Sequence, residues 1–129
     1  MTHTELIAKA REAMKTAYVP YSHFPVGAAL VAKDGTLYTG CNVEGASYGN
    51  AICAERTALV KAVSDGQREF STLAVAANTD DFCTPCGICR QMLYEFAPDL
   101  VVLCSDRDGN YKEYTLRELL PGAFSAKDL

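Results

Sequence analysis

The sequence predicts a single α/β layered domain built on a mixed sheet of about five strands. Three features of the chain dictate this. Helical apolar patterns alternate with short apolar runs, and the first two such runs flank Lys33-Asp34-Gly35 as a β-hairpin would. The 129 residues, 49% of them hydrophobic, suffice for one core and not for two. No repeat, low-complexity tract or internal linker divides residues 1–129.

The elements follow in order. Thr2-x-x-Glu5 is a capping-box pattern, and Leu6, Ile7, Ala10, Met14 and Ala17 recur at helical spacing, so a helix is expected over residues 4–18. Pro20, in Tyr18-Val-Pro-Tyr-Ser, breaks it by excluding helical backbone before it. Val26–Ala32 and Thr36–Cys41 are the strands of the hairpin. A glycine-rich loop, Gly45-Ala-Ser-Tyr-Gly49, leads to a second helix from about Cys53 to Ser64. Ala54, Ala58, Leu59, Ala62 and Val63 make that helix apolar on most sides, which implies burial. Glu55 and Arg56 in its first turn are therefore conspicuous.

Thr72–Ala77 reads as an apolar strand. The third helix has Pro85 near its first position and is expected to turn Ile88, Met92 and Phe96 to the core. Leu100–Ser105 and Tyr111–Thr115 are strands joined by the turn Asp108-Gly-Asn110. A short helix, Leu116–Leu120, stops at Pro121-Gly122 before a tail that carries Phe124.

Composition narrows the function. A net charge of −4 gives no electrostatic footprint for a nucleic acid. No apolar run approaches the roughly 18 residues of a membrane span. Met-Thr-His-Thr-Glu opens straight into a helical pattern without an export segment, so a cytoplasmic protein with a small-molecule partner is expected. In that setting the six cysteines are not a disulfide framework. Cys41 and Cys104 fall inside strands and read as packing residues. The G-x-S-x-G match at Gly45–Gly49 is fortuitous: a hydrolase triad needs its histidine after the serine, and His3 and His23 both precede Ser47.

What remains is Cys53-Ala-Glu55 followed by Pro85-Cys86-Gly-Ile-Cys89. Cys53 and Cys86 would each begin a helix, where the dipole stabilises a thiolate. Cys86 and Cys89 share one helical turn, so both sulfurs can face one ion. Three protein ligands hold a zinc ion and leave its fourth position open, and Glu55 lies close enough to move protons there. A thioredoxin-like pair at Cys86 and Cys89 would leave Cys53 and Glu55 without a role. A closed four-cysteine site using Cys83 would not need the glutamate, although Cys83-x-x-Cys86-x-x-Cys89 leaves the ligand choice ambiguous on spacing alone. Simple buried cysteines are disfavoured by three thiols within seven residues. Three thiolates on Zn²⁺ carry a net charge of −1, so a cation should offset them, and Arg56 and Arg90 each directly follow one of the candidate residues.

With these residues, the chain resembles the small, homotetrameric class of zinc-dependent cytidine deaminases. The motif of that superfamily is His-x-Glu…Pro-Cys-x-x-Cys with a cysteine-for-histidine variant. The likeness runs from Tyr18-Val-Pro-Tyr-Ser through Phe24-Pro-Val-Gly-Ala-Ala and Gly40-Cys-Asn-Val-Glu44 to Leu120-Pro-Gly-Ala-Phe124. It implies a three-layer α/β/α sandwich and one zinc per chain on Cys53, Cys86 and Cys89, with Glu55 as the proton shuttle. It further implies Asn42 and Glu44 at the ribose hydroxyls, Phe24 against the pyrimidine, the Ala54 amide at the base O2 and the Thr84 carbonyl at the exocyclic amine. Ala46, Tyr48 and Phe124 would complete a neighbouring subunit's pocket in a homotetramer. The implied reaction is hydrolytic deamination of cytidine and 2′-deoxycytidine in pyrimidine salvage. Two other readings share the zinc site: a deaminase of a nucleoside analogue such as blasticidin, and a zinc module without activity. Asn50-Ala51-Ile52 departs from the cysteine-richer versions of that segment in the family.

Overall fold

The computed structural model describes all 129 residues except the side chain of Tyr48. Helix α1, His3–Ala13, starts on the capping box its sequence encodes: Thr2 Oγ1 accepts from the Glu5 amide at 3.1 Å, and the Glu5 carboxylate accepts from the Thr2 amide at 3.4 Å. The α-helix ends five residues before the expected limit at 18 and runs on only as a 3₁₀ turn, Met14–Thr16. Tertiary pairing causes this. Tyr18 bonds to the segment leaving the hairpin, through Tyr18 N to Asn42 O at 3.0 Å and Glu44 N to Tyr18 O at 2.9 Å. The chain must already be extended at Ala17, ahead of Pro20.

The strands are β1 Val26–Ala32, β2 Leu37–Cys41, β3 Phe70–Ala77, β4 Val101–Ser105 and β5 Tyr111–Thr115. They form one sheet in the order β2-β1-β3-β4-β5, with only β3 and β4 parallel. Helices α2 Ala54–Ser64, α3 Gly87–Phe96 and α4 Leu116–Leu119 complete the chain, apart from short 3₁₀ turns. Strand β3 begins two residues earlier than Thr72, because Phe70 pairs with Ala32 across a bulge at Ser71 of β3.

Strand alternation sorts the core into two faces. Ala29, Ala74, Ala76 and Leu103 receive Leu6, Ile7, Ala10 and Met14 of α1. Their neighbours Leu30, Leu73, Val75 and Val102 point the other way, against Ala58 and Leu59 of α2 and Leu93 of α3. The fold is therefore a three-layer α/β/α sandwich, with both helices that carry the cysteine motif on one face. Cys104 is fully buried, as its strand position implied; Cys41 is only half-buried and accepts a weak bond from Thr16 Oγ1 at 3.7 Å.

Helix α3 is rotated from its expected orientation. Cys89 and Leu93 are its buried residues, while Ile88 is 65% exposed. The inward i, i+4 pair begins one residue later than Ile88, because the helix turns the Cys89 sulfur inward. Met92 and Phe96 are partly buried and flank the core. Pro85 sits before the N-cap residue Cys86 and not inside the helix.

Two glycines set the spacing between layers. A Cβ at Gly27 would collide with the Ala10 carbonyl of α1, and one at Gly40 would lie 2.6 Å from Ala54 O and from Ala58 N of α2. Strand β2 thus supports the first turn of α2 directly, where Glu55 sits. Gly40→Ala should cost about 1–3 kcal/mol through this overpacking. Denaturant unfolding checks the value, and an unchanged midpoint would show that the two layers can separate freely.

Candidate active site

Two helix N-termini meet over the sheet. Cys53 is the N-cap of α2 and Cys86 the N-cap of α3, both with extended backbone. The approach to α2 is fixed by Val43 and Ile52, which exchange backbone bonds at 3.0 and 2.9 Å. That pairing also brings Asn42 and Glu44, just after β2, beside the start of α2.

The sulfurs of Cys53 and Cys86 lie 3.6 Å apart and those of Cys86 and Cys89 3.5 Å apart. All three lie within 4.8 Å of one another. A disulfide needs about 2.05 Å, so these are free thiols. Tetrahedral coordination at about 2.3 Å from each sulfur separates ligands by about 3.8 Å, so the donor set fits zinc in size and softness. Cys83 does not join this cluster. Its partly buried thiol packs on the core, and burial, reinforced by the charge of Glu55, pushes it up to about 11. Of the thiols that the Cys83-x-x-Cys86-x-x-Cys89 spacing leaves open, the structure groups Cys86 and Cys89 with Cys53.

Glu55 is 4% exposed in the first turn of α2. Burial raises its carboxyl to about 7, and the nearby Cys53 charge pushes the same way. The value suits a group that must both take and give a proton near neutrality. The Cys53 thiol is lowered to about 5, chiefly by a hydrogen bond from Cys89, with Arg56 adding to the effect. The Cys89 thiol is driven well up by that same bond and by burial.

Arg56, one of the two arginines expected to offset the thiolates, lies at the thiol cluster. Its Nη2 donates to Cys53 Sγ at 3.8 Å and to the Ala51 carbonyl at 3.4 Å. Its buried Nε finds no partner among the described residues. Arg90 does not meet the same expectation: its Nε donates to Pro85 O and its Nη1 to Leu119 O, both at 2.7 Å, and no sulfur receives it. The side chain folds back toward the helix start, as helical side chains do, and the first carbonyl it meets precedes Cys86.

Asn42 and Glu44 have a task that their sequence positions did not disclose. Asn42 Oδ1 accepts from Val26 N at 2.8 Å and its Nδ2 donates to Phe24 O at 2.9 Å. Glu44 Oε1 accepts from Tyr21 N at 3.1 Å and Ser22 N at 3.2 Å. The bond to Ser22 holds the Glu44 carboxyl below the usual carboxylate range. Together they grip residues 21–26 from both ends. Between the grips His23 takes a φ of +55°, a left-handed conformation unusual outside glycine. A cleft of about 340 Å³, lined by Tyr21, Ser22, Glu44, Gly45 and Ala51, opens beside this loop.

Phe24 is 42% exposed, so it is not a core residue. Ala54 is fully buried at the first position of α2, where backbone N–H groups have no intrahelical partner. Thr84 and Ala46 are exposed. The Tyr48 side chain lies outside the described residues. Phe124, 56% exposed, lines a groove with Ile88, Met92 and Phe96 and not the cleft at Glu44.

Comparison with known proteins agrees with this geometry. The family model for the cytidine and deoxycytidylate deaminase zinc-binding region matches residues 1–105. A cytidine deaminase from Sporosarcina psychrophila is 53% identical over 126 residues, covering 97% of this chain and 93% of the relative. The crystal structure of cytidine deaminase from Burkholderia pseudomallei superposes with a TM-score of 0.94 at 48% identity, over 96% of this chain and 100% of that one. A blasticidin-S deaminase from Bacillus cereus is more distant, at 32% identity over 91% of this chain and 88% of the relative.

The thiol geometry yields a direct expectation. Cys83→Ser should retain about one zinc per chain, whereas Cys89→Ser should lose it. Metal analysis of the purified variants decides this, and zinc loss from Cys83→Ser would revise the ligand set.

Proposed function

The chain belongs to the cytidine and deoxycytidylate deaminase family, and from that premise we propose that it hydrolyses cytidine and 2′-deoxycytidine to uridine and 2′-deoxyuridine with release of ammonia. One observation carries the reading: a buried carboxyl near neutrality, Glu55, stands beside three thiols spaced for a metal. Cys53, Cys86 and Cys89 would hold the zinc ion, which when bound would supply Lewis-acid activation of water.

Glu55 does the proton work. It takes one proton from the attacking water and delivers it to ring N3, so addition at C4 leaves no charge stranded on the ring. It then carries the hydroxyl proton to the exocyclic amine as the C4–N bond breaks. Both hydrogens of the water are accounted for, one on N3 of the product and one in ammonia. Burial keeps the carboxyl able to exchange protons with either partner. Arg56 offsets the net −1 of three thiolates and one Zn²⁺ through its bond to Cys53.

Substrate selection falls to the loop around Phe24. Glu44 keeps Oε2 clear of the amides held by Oε1, and Asn42 has a second amide hydrogen beyond the one given to Phe24 O, so both can meet ribose hydroxyls. The exposed Phe24 ring supplies a face for the pyrimidine. The Ala54 amide and Thr84 carbonyl suit the base O2 and exocyclic amine. Ala46, Tyr48 and Phe124 act in a neighbour's pocket, within a homotetramer. The groove of about 730 Å³ formed by Ile88, Met92, Phe96 and Phe124 supports that assembly as an apolar surface in need of cover. A place in pyrimidine salvage follows from free nucleosides as substrates. Among the described residues no helix is long and apolar enough to cross a membrane, and the acidic balance offers nothing to a nucleic acid.

An ultraviolet assay with cytidine, 2′-deoxycytidine and blasticidin S tests the proposal. Turnover of either nucleoside is expected; turnover of blasticidin S alone would move the chain to the analogue class. Bound zinc without turnover of any of the three would leave a structural module. Glu55→Gln should keep zinc and fold but lose at least ~10²-fold in turnover, and retained activity would remove Glu55 from the reaction.

A further inference from the structure

Arg90 and Gln91 are consecutive on α3, the helix that carries Cys86 and Cys89, and both are spent on backbone carbonyls. Arg90 Nε donates to Pro85 O and Nη1 to Leu119 O, each at 2.7 Å, and Gln91 Nε2 donates to Phe124 O at 2.8 Å. Leu119 is the last residue of α4, and its carbonyl has no helical donor of its own to meet. Residues 119–124 therefore form an arch pinned at both ends to α3. Gly122, with φ +66°, makes the bend between the pins.

The other end of the Arg90 contact matters to the metal. Pro85 is fully buried, and its carbonyl belongs to the peptide that enters Cys86. That peptide is held by Arg90 from its side chain, and the next carbonyl, Cys86 O, is held by the Arg90 amide at 2.9 Å. One residue thus fixes two successive carbonyls around a ligand and reaches the C-terminal arch with its remaining donor. The planar guanidinium suits this bridging, since its donors are fixed relative to one another.

We propose that Arg90 is a positioning residue for Cys86, bridging the Pro85 and Leu119 carbonyls so that retention of the metal depends on the C-terminal arch. The proposal rests on Cys53, Cys86 and Cys89 as the zinc ligands. It makes the arch part of the support of the metal centre of its own chain, whatever Phe124 does for a neighbour.

The test times zinc release to a chromogenic chelator from the full-length, zinc-loaded protein, for the parent, Arg90→Ala, Arg90→Lys and Gly122→Ala. Both Arg90 variants should release zinc about 10–100-fold faster, as loss of a group that orients a ligand does. Lysine keeps the charge but not the fork. Gly122→Ala should shift the rate in the same direction without touching a sulfur, because an L-residue resists the left-handed backbone there. Thermal unfolding of loaded and chelator-stripped protein separates positioning from general support. General support would lower both midpoints equally, whereas positioning lowers mainly the loaded one. Parent-like release from the Arg90 variants overturns the proposal, and parent-like release from Gly122→Ala alone overturns the link to the arch. Should Arg90→Ala fail to fold, the Arg90→Lys and Gly122→Ala rates decide. A parent that binds no zinc, or keeps it after Cys89→Ser, refutes the thiol site, and the proposal for Arg90 falls with it.

Discussion

The 3.6 Å approach of the Cys53 and Cys86 sulfurs is the contact to which the rest of the molecule is fitted. It forces two helix N-termini together, each with a partial positive charge of about half a unit. Left bare, such ends repel. The side chains placed there are those that accept negative charge: two N-cap thiols, a third thiol one turn along α3, and the Glu55 carboxyl. A bound cation would then unite groups that otherwise compete for protons, as the opposite displacements of Cys53 and Cys89 already show.

Sheet and loops serve that contact by shortening the distances around it. Gly40 lets α2 rest on β2, and the Val43–Ile52 pairing fixes the approach to Cys53. The same pairing holds the stretch from which Asn42 and Glu44 reach back to residues 21–26. The loop at residues 21–26 and the approach to Cys53 are thus tied to one short length of backbone. A displacement at Ile52 would be felt at both.

Much of this was legible in the sequence because the informative residues act locally. The capping box at Thr2, the hairpin at Lys33-Asp34-Gly35 and the placement of Cys53 and Cys86 at helix starts all depend on neighbours within a few positions. The choice of Cys53, Cys86 and Cys89 over Cys83 was visible only through family resemblance, since spacing permits either. Properties set by distant partners were not legible. Helix α1 stops early because Tyr18 pairs with a segment more than twenty residues away. Ile88 faces solvent because the orientation of α3 follows Cys89, whose demand periodicity does not express. Arg90 looked like a neighbour of a thiolate in one dimension; in three, its side chain runs back along the helix to Pro85.

The single parallel pairing in the sheet, β3 with β4, divides the chain in a way that bears on how it folds. Cys53 belongs to a hairpin half, in which α2 lies over β1 and β2, while Cys86 and Cys89 belong to a β3-α3-β4 half. Pairing within the halves joins residues 6–14 positions apart in the hairpin and 29 apart between β3 and β4, but joining the halves at β1 and β3 pairs residues 38–51 positions apart and carries the larger loop-closure cost. The sulfur cluster straddles that seam. The three thiols come together only when the halves have docked, so an ion held there would act as a rivet set after assembly. It would slow separation of the halves far more than it would hasten their meeting.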